Sequence, residues 1–404
     1  MQDAVGKVFD LKRSAALLML GLCEFVRGSL IFFILPIYVH NVLGYSTAAI
    51  GYAMAAHYVF DTGLRSPAGW LVDRLGQRKV AGMLLAVAAF GLFLVISQHQ
   101  FWLILAGCAL LGIGMAAVWP AVIARVTAGL SPDAYGSAMG GVMMAWLLGA
   151  GLGAICMSWL FGIHVQRGFV TLMVLWLCAY AIGLWVMSSW KPASHAKKRA
   201  HILAVLREVN SVKVLFPGVF VQTFAIGVLL PVLVLYARNV LHLDSRMYSY
   251  LLLTGGAAAV LLQVPMGRLV DKYGYRAFLV TGFLLAAISL PIIGGLHTVR
   301  YIFLAVILFG GSYALILPSW NVVVAQCITE DRRAVMYGVF MTVEGLGMAV
   351  GPVVGTELWN AFGPSAPFDV AAVILFIMSV FYGMMRLNKL FVRQEVRDKS
   401  SKAS

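Results

Sequence analysis

Apolar residues in this chain fall in twelve runs, at 15–38, 47–71, 80–97, 101–125, 137–161, 168–189, 212–237, 247–270, 277–296, 300–326, 334–358 and 368–387. Most are close to the length a helix needs, at a rise of about 1.5 Å per residue, to cross a hydrocarbon core about 30 Å thick. Inside that core every backbone polar group must be satisfied within the segment, which leaves helices as the solution for runs of this kind. The expected fold is an all-α membrane protein of twelve transmembrane helices. Composition agrees: 61% of the 404 residues are hydrophobic, 11% are charged, and mean hydropathy is +0.90. A water-soluble chain could not hide that much apolar surface.

The longest polar interruption follows the sixth run. It divides the chain into an N-terminal bundle (1–189), a linker (190–211), a C-terminal bundle (212–387) and a tail (388–404). The net charge of +14 would elsewhere suggest nucleic acid. Here the basic residues sit in short loops and tails, where they set topology, so no nucleic-acid partner is expected. Of the 30 lysines and arginines, only Arg167, Arg238, Arg246 and Arg300 fall in the loops opposite the termini. The positive-inside rule therefore puts both termini in the cytoplasm. The first run is longer than a signal-peptide core and reads as a helix that stays. Cys23, Cys108, Cys156, Cys178 and Cys327 all lie in apolar runs without a CxxC pair, so neither a disulfide framework nor a metal site is expected. No cofactor is expected either: the G-x-G patterns of the fifth and eleventh runs lack a preceding strand.

The two halves repeat each other. Gly69-x-Leu71-x-Asp73-Arg74-x-Gly76-x-Arg78 returns 198 residues later as Gly267-x-Leu269-x-Asp271-Lys272-x-Gly274-x-Arg276. Gly112 and Pro120 match Gly310 and Pro318 at the same offset, and Tyr135-Gly136-x-x-Met139 matches Tyr337-Gly338-x-x-Met341 at 202. Two parallel six-helix repeats carrying this doubled loop resemble the major facilitator superfamily over essentially the whole chain. The resemblance implies a secondary transporter, not an enzyme, and a midplane substrate site between the halves. It also implies that the loops formed by Gly69, Asp73, Arg74, Gly76 and Arg78, and by Gly267, Asp271, Gly274 and Arg276, act as cytoplasmic gates. The glycines would allow close helix approach and a tight turn. Asp73 would face the positive end of the eleventh helix, a placement worth roughly 0.3–1 kcal/mol, and Asp271 the start of the fifth.

Three acids lie well inside apolar runs: Glu24, Asp61 and Glu344. A charge at mid-bilayer costs about 2.5–3.5 kcal/mol, so each should face a partner or a cavity. Arg27 lies three residues from Glu24 and Arg65 four from Asp61, spacings that share a helix face. Burial favours a neutral carboxyl and a nearby arginine an ionised one. That opposition suits Glu24, Arg27 and Asp61 to proton coupling; the plainer alternative is two static ion pairs.

Trp119 and Trp146 are candidates, with Glu24, Arg27 and Glu344, to line a substrate site, and Trp320 is the counterpart in the other half. Indole faces stack on sugars or cations, although many membrane tryptophans simply face lipid. His57 and Tyr58 are weaker candidates. Proton-coupled drug exporters of the superfamily carry a glycine-rich fifth-helix element with a proline. Here that proline is absent from Gly149-Ala-Gly151-Leu-Gly153 and appears instead in Gly351-Pro352-x-x-Gly355. Glu24-Phe-Val-Arg27, Asp61 and Trp119-Pro120 resemble the lipoteichoic-acid glycolipid flippases within the superfamily. That resemblance implies proton antiport against an amphipathic lipid-linked sugar, with a monomeric protein, protons and the bilayer as the other partners. A proton-driven multidrug exporter is the alternative, and a receptor or enzyme on the same scaffold a distant third.

Overall fold

The computed structural model describes residues 10–128, 130, 132–161, 164–187, 215–296, 298–327 and 333–384, apart from the side chains of 73, 132–137, 321, 324–327 and 333–338. The linker (190–211) and tail (388–404) lie outside the described residues.

The protein is an all-α membrane protein of twelve transmembrane helices in two six-helix bundles. They are α1 (Leu11–Val42), α2 (Thr47–Gly63 continued by Arg65–Leu75), α3 (Gln77–Ser97), α4 (Phe101–Thr127), α5 (Pro132–Phe161) and α6 (Val165–Met187), then α7 (Phe216–Val240), α8 (Ser245–Tyr273), α9 (Tyr275–Gly295), α10 (Val299–Cys327), α11 (Arg333–Phe362) and α12 (Ala366–Met384). Several run past their apolar stretch at one or both ends, because a helix continues into polar sequence until something stops it. α1 starts at Leu11 rather than 15, where the Asp10 side chain accepts the Arg13 backbone N–H at 2.8 Å and caps the first turn. Eleven of the twelve form spans long and apolar enough to cross a bilayer. The exception is α2, which breaks at Leu64.

Proline explains that break. Pro67 has no N–H for the Gly63 carbonyl, and its ring crowds that carbonyl. Leu64 accordingly leaves helical geometry at φ −96°, ψ 0°. α4 breaks in the same way at Ala116–Ala117, four residues before Pro120, with Ala117 at φ −91°, ψ −14°. The equivalent prolines of the second half, Pro265 and Pro318, lie in helices that run on unbroken.

The repeat is visible in the backbone. Gly76 (φ 84°, ψ 147°) and Gly274 (φ 87°, ψ 151°) make the same turn between consecutive helices, in a region that is essentially closed to residues with a Cβ. Gly69, by contrast, has open space where a Cβ would stand, and at Gly267 the nearest neighbour would be Pro318 at an ordinary 3.8 Å. The motif's structural demand is therefore the turn glycine, and close helix approach is not the role of the other two.

By packing, the chain forms two compact units. The first comprises Met1–Lys198, Ile226–Leu252 and Met348–Pro364; the second comprises Arg199–Ala225, Leu253–Gly347 and Ser365–Ser404. In the second, α9 packs against α10 and α12. In the first, α1 packs against α5 and α6, and α3 and α2 against α4. The α1–α5 crossing is tight. A Cβ on Gly149 would lie 2.4 Å from the Gly21 carbonyl oxygen and 2.9 Å from the Glu24 Cβ, and one on Gly153 would lie 2.4 Å from the Phe25 oxygen. Glycine on α5 therefore sets how closely that helix approaches Glu24.

Candidate transport site

Glu24 and Arg27 stand near the middle of the 32-residue α1. Glu24 is fully buried and pairs with Arg27, Oε2 to Nη2, at 2.5 Å. Asp61, 1% exposed, takes Arg65 Nη2 on its Oδ2 at 2.9 Å. Each pair obeys the helical spacing read from the sequence. The structure also joins the pairs, since Arg27 Nη1 approaches Asp61 Oδ2 at 3.6 Å. Two carboxylates and two guanidiniums thus form one chain, Glu24–Arg27–Asp61–Arg65, with no net charge when all four are ionised. Removing one partner from such a buried set leaves an uncompensated charge, at a cost of about 3–5 kcal/mol.

The two helix breaks flank this chain. Leu64 lies between Asp61 and Arg65, and Trp119 follows closely on the α4 break. The Trp119 Nε1–H donates to Glu24 Oε1 at 2.8 Å. Trp146 of α5, half-buried, meets the Trp119 ring edge-on with centroids 6.2 Å apart. One carboxylate is therefore held by an arginine on its own helix and by an indole 95 residues away, and that indole touches a second one.

His57 and Tyr58 adjoin the cluster. His57 is fully buried against α4, with its backbone oxygen at the point of contact with Gly112, and its ring meets Tyr58 at 5.1 Å. Neither ring nitrogen of His57 forms a well-aligned hydrogen bond; the Cys108 carbonyl is the backbone acceptor beside it. Glu344 lies in the second unit, near Tyr313 of α10. Trp320 is 6% exposed and packs edge-on against Tyr382 of α12 at 5.9 Å.

Among the gate residues, Arg74 lies over the Trp70 ring, 4.2 Å from its centroid. Arg276 donates to the Gly383 carbonyl of α12. Arg78 and Asp271 are exposed, and Asp271 forms no ion pair among the described residues. The Asp73 side chain, and the side chains at the starts of α5 and α11 that Asp73 and Asp271 were expected to face, lie outside the described residues.

Two features of the cluster had no signal in the sequence: the Arg27–Asp61 bridge and the Trp119–Glu24 hydrogen bond. Both join separate helices, α1 to α2 and α1 to α4. The same holds for a row of side-chain bonds in the first unit, where Thr47 meets Asn360, Tyr52 meets Glu357, and Ser158 meets Ser249.

Comparison with known proteins agrees with this architecture. The chain is 26% identical over 377 residues to the "Proton-coupled antiporter flippase LtaA" of Staphylococcus aureus (strain MSSA476), covering 91% of this chain and 93% of that protein. Among solved structures, a bacterial homologue of the human lysosomal transporter Spinster matches with a TM-score of 0.77 at 16% identity, covering 95% of this chain and 98% of that one. The nucleoside transporter NupG matches with a TM-score of 0.73 at 14% identity, covering 95% and 99%. At these identities the structural matches speak to fold alone. The profile of the Major Facilitator Superfamily matches residues 17–213 and 215–403. The chain is a multi-pass membrane transporter, not an enzyme, and belongs to the major facilitator superfamily.

Proposed function

We propose that the protein is a proton-coupled antiporter that moves an amphipathic lipid-linked sugar from the cytoplasmic to the outer leaflet, with both termini in the cytoplasm. The observation that carries this reading is the buried Glu24–Arg27–Asp61–Arg65 chain capped by Trp119. The named activity of the S. aureus relative supports it.

Protonating Glu24 removes its charge from the chain. Arg27, already 3.6 Å from Asp61, then has that carboxylate as its partner, and Trp119 is no longer needed to satisfy a carboxylate. The indole N–H becomes available to a sugar hydroxyl, and the Trp119–Trp146 pair offers apolar ring faces to the sugar. In the reverse direction, ionised Glu24 recovers both partners and the headgroup loses its donor. Proton and headgroup therefore compete for one set of contacts, which is what exchange requires. Glu344 lines the second half's share of the substrate path. The gate loops, Gly69 to Arg78 and Gly267 to Arg276, close the cytoplasmic side, and one chain suffices for the cycle.

Purified protein in proteoliposomes bearing a fluorescent glycolipid tests the substrate class. Flipping accelerated by an imposed pH gradient is expected. Gradient-driven efflux of a lipophilic cationic dye, with no lipid flipping, would replace this reading with drug export.

A further inference from the structure

His57 has no part in the exchange described so far, although it stands one helical turn from Asp61 on the same buried face of α2. Coming from Thr47, that face runs through Ile50, Gly51, Ala53 and Met54 before His57, the first ionisable group on it. The side chain is fully buried, and neither ring nitrogen forms a well-aligned hydrogen bond. An unpaired buried polar group costs about 1–3 kcal/mol, so a histidine kept only to fill space is a poor choice there. Asp61 has an oxygen to spare. Arg65 and Arg27 both approach Oδ2, and Oδ1 takes no hydrogen bond among the described residues. The other charged or titratable groups around the imidazole are Arg27 of α1, Tyr58 and Arg65 of α2, and Cys108 of α4, whose carbonyl lies beside the ring.

The internal repeat shows that the fold does not need a side chain at this position. Gly112 of α4 meets α2 at the His57 carbonyl, and a Cβ on the glycine would collide with that oxygen. At an offset of 198, Gly310 of α10 meets α8 at the Gly255 carbonyl in the same way. The two crossings are copies, yet His57 corresponds to Gly255. The room beside Gly255 is taken from α10, where a Cβ on Gly255 would stand 2.8 Å from Val306 Cγ1. Val306 in turn corresponds to Cys108, the residue beside the imidazole. One half therefore builds this crossing from glycine and valine, the other from histidine and cysteine. Asp61 and Arg65 change with them, to Ala259 and Gln263. The imidazole is present at the crossing that has the acid and absent from the one that lacks it.

We propose that His57 is a proton-handling residue of the exchange, passing protons to and from Asp61. An imidazole takes a proton on one ring nitrogen and gives one up from the other. An incoming proton forms an N–H bond and makes the imidazolium. Breaking the N–H bond at the other nitrogen forms the O–H bond of a neutral Asp61 at Oδ1. The ring then returns to its uncharged state as the other tautomer. Arg27 spans Asp61 and Glu24, so the charge on Asp61 sets how firmly Arg27 holds Glu24, where proton and headgroup compete. The Gly112 contact fixes the backbone of the 57–61 turn, so the ring moves by side-chain rotation and not by a shift of α2. The assignment rests on the proton-coupled reading proposed above.

The test transplants the packing of the other half. His57→Gly with Cys108→Val reproduces the Gly255–Val306 arrangement. His57→Gln, which keeps hydrogen-bonding groups but takes up no proton, is the second variant. Each is reconstituted with a fluorescent glycolipid, and the ratio of flipping rates with and without an imposed pH gradient is measured beside thermal unfolding in detergent. The ratio cancels any general change in rate. It is expected to exceed one in wild type and to fall to near one in both variants, with at least one of them melting near wild type. A variant that keeps the wild-type ratio would show His57 to be packing and overturn this assignment alone. A ratio lost only together with the melting temperature, in both variants, would also overturn it, because that is the mark of a structural residue. A wild-type ratio of one would sink the coupling reading itself, and this assignment with it.

Discussion

Gly149 and Gly151 are two residues apart on α5 and face opposite environments, so alanine should act on them with opposite sign. At Gly149 the new methyl group would stand 2.4 Å from the Gly21 carbonyl oxygen and 2.9 Å from the Glu24 Cβ. Restoring an ordinary contact near 3.4 Å requires α5 to retreat by about 1 Å from backbone that cannot yield locally. Overpacking of this kind costs about 1–3 kcal/mol. The displaced element is also the neighbour of Glu24, so the 2.8 Å bond from Trp119 and the 2.5 Å pair with Arg27 are both disturbed. At Gly151 nothing lies within 4 Å, and the residue is exposed. Alanine there only restricts the unfolded chain and improves helix propensity, a gain of about 0.5–1 kcal/mol. Thermal unfolding of purified protein in detergent should therefore place Gly149→Ala below wild type and Gly151→Ala at or above it. Gly149→Ala as stable as wild type, or both variants equally destabilised, would refute the view that glycine on α5 sets the approach to Glu24.

Two other outcomes follow from the geometry. Trp119→Phe keeps a ring but removes the N–H from Glu24 Oε1, a loss of about 1.5–3 kcal/mol for a bond to a charged group. In detergent melts the loss should shrink in a Glu24→Gln background, where the acceptor is neutral. Gly76→Ala and Gly274→Ala each force a Cβ into positive-φ backbone, at 84° and 87°, and should cost about 1–3 kcal/mol. Gly69→Ala, inside a helix with open space around it, should melt at or above wild type, and expression with thermal unfolding checks all three.

The helices were legible because apolar runs of spanning length leave one structural solution, and the doubled loop announced a doubled bundle. Glu24 with Arg27, and Asp61 with Arg65, could be paired because three and four residues are helical spacings. The union of those pairs could not be read, since it depends on how α1 meets α2. Glycine contacts such as Gly149 on Gly21 set crossings of this kind, and one sequence does not say which glycines meet. The breaks at Leu64 and Ala116–Ala117 illustrate the same limit. Pro67 and Pro120 interrupt their helices, whereas Pro265 and Pro318 sit in continuous ones. A proline marks where a helix is able to break, and packing decides whether it does.

The central claim is that a proton enters the exchange at Glu24. The direct measurement is the ratio of flipping rates for the fluorescent glycolipid with and without an imposed pH gradient, in wild type and in Glu24→Gln. Glutamine preserves the shape of the side chain and an oxygen for the Trp119 N–H but cannot carry the proton. Coupling at Glu24 predicts a ratio well above one in wild type and a ratio of one in Glu24→Gln, with flipping down the lipid's own gradient retained. A Glu24→Gln protein that the pH gradient still accelerates as strongly as wild type would contradict it.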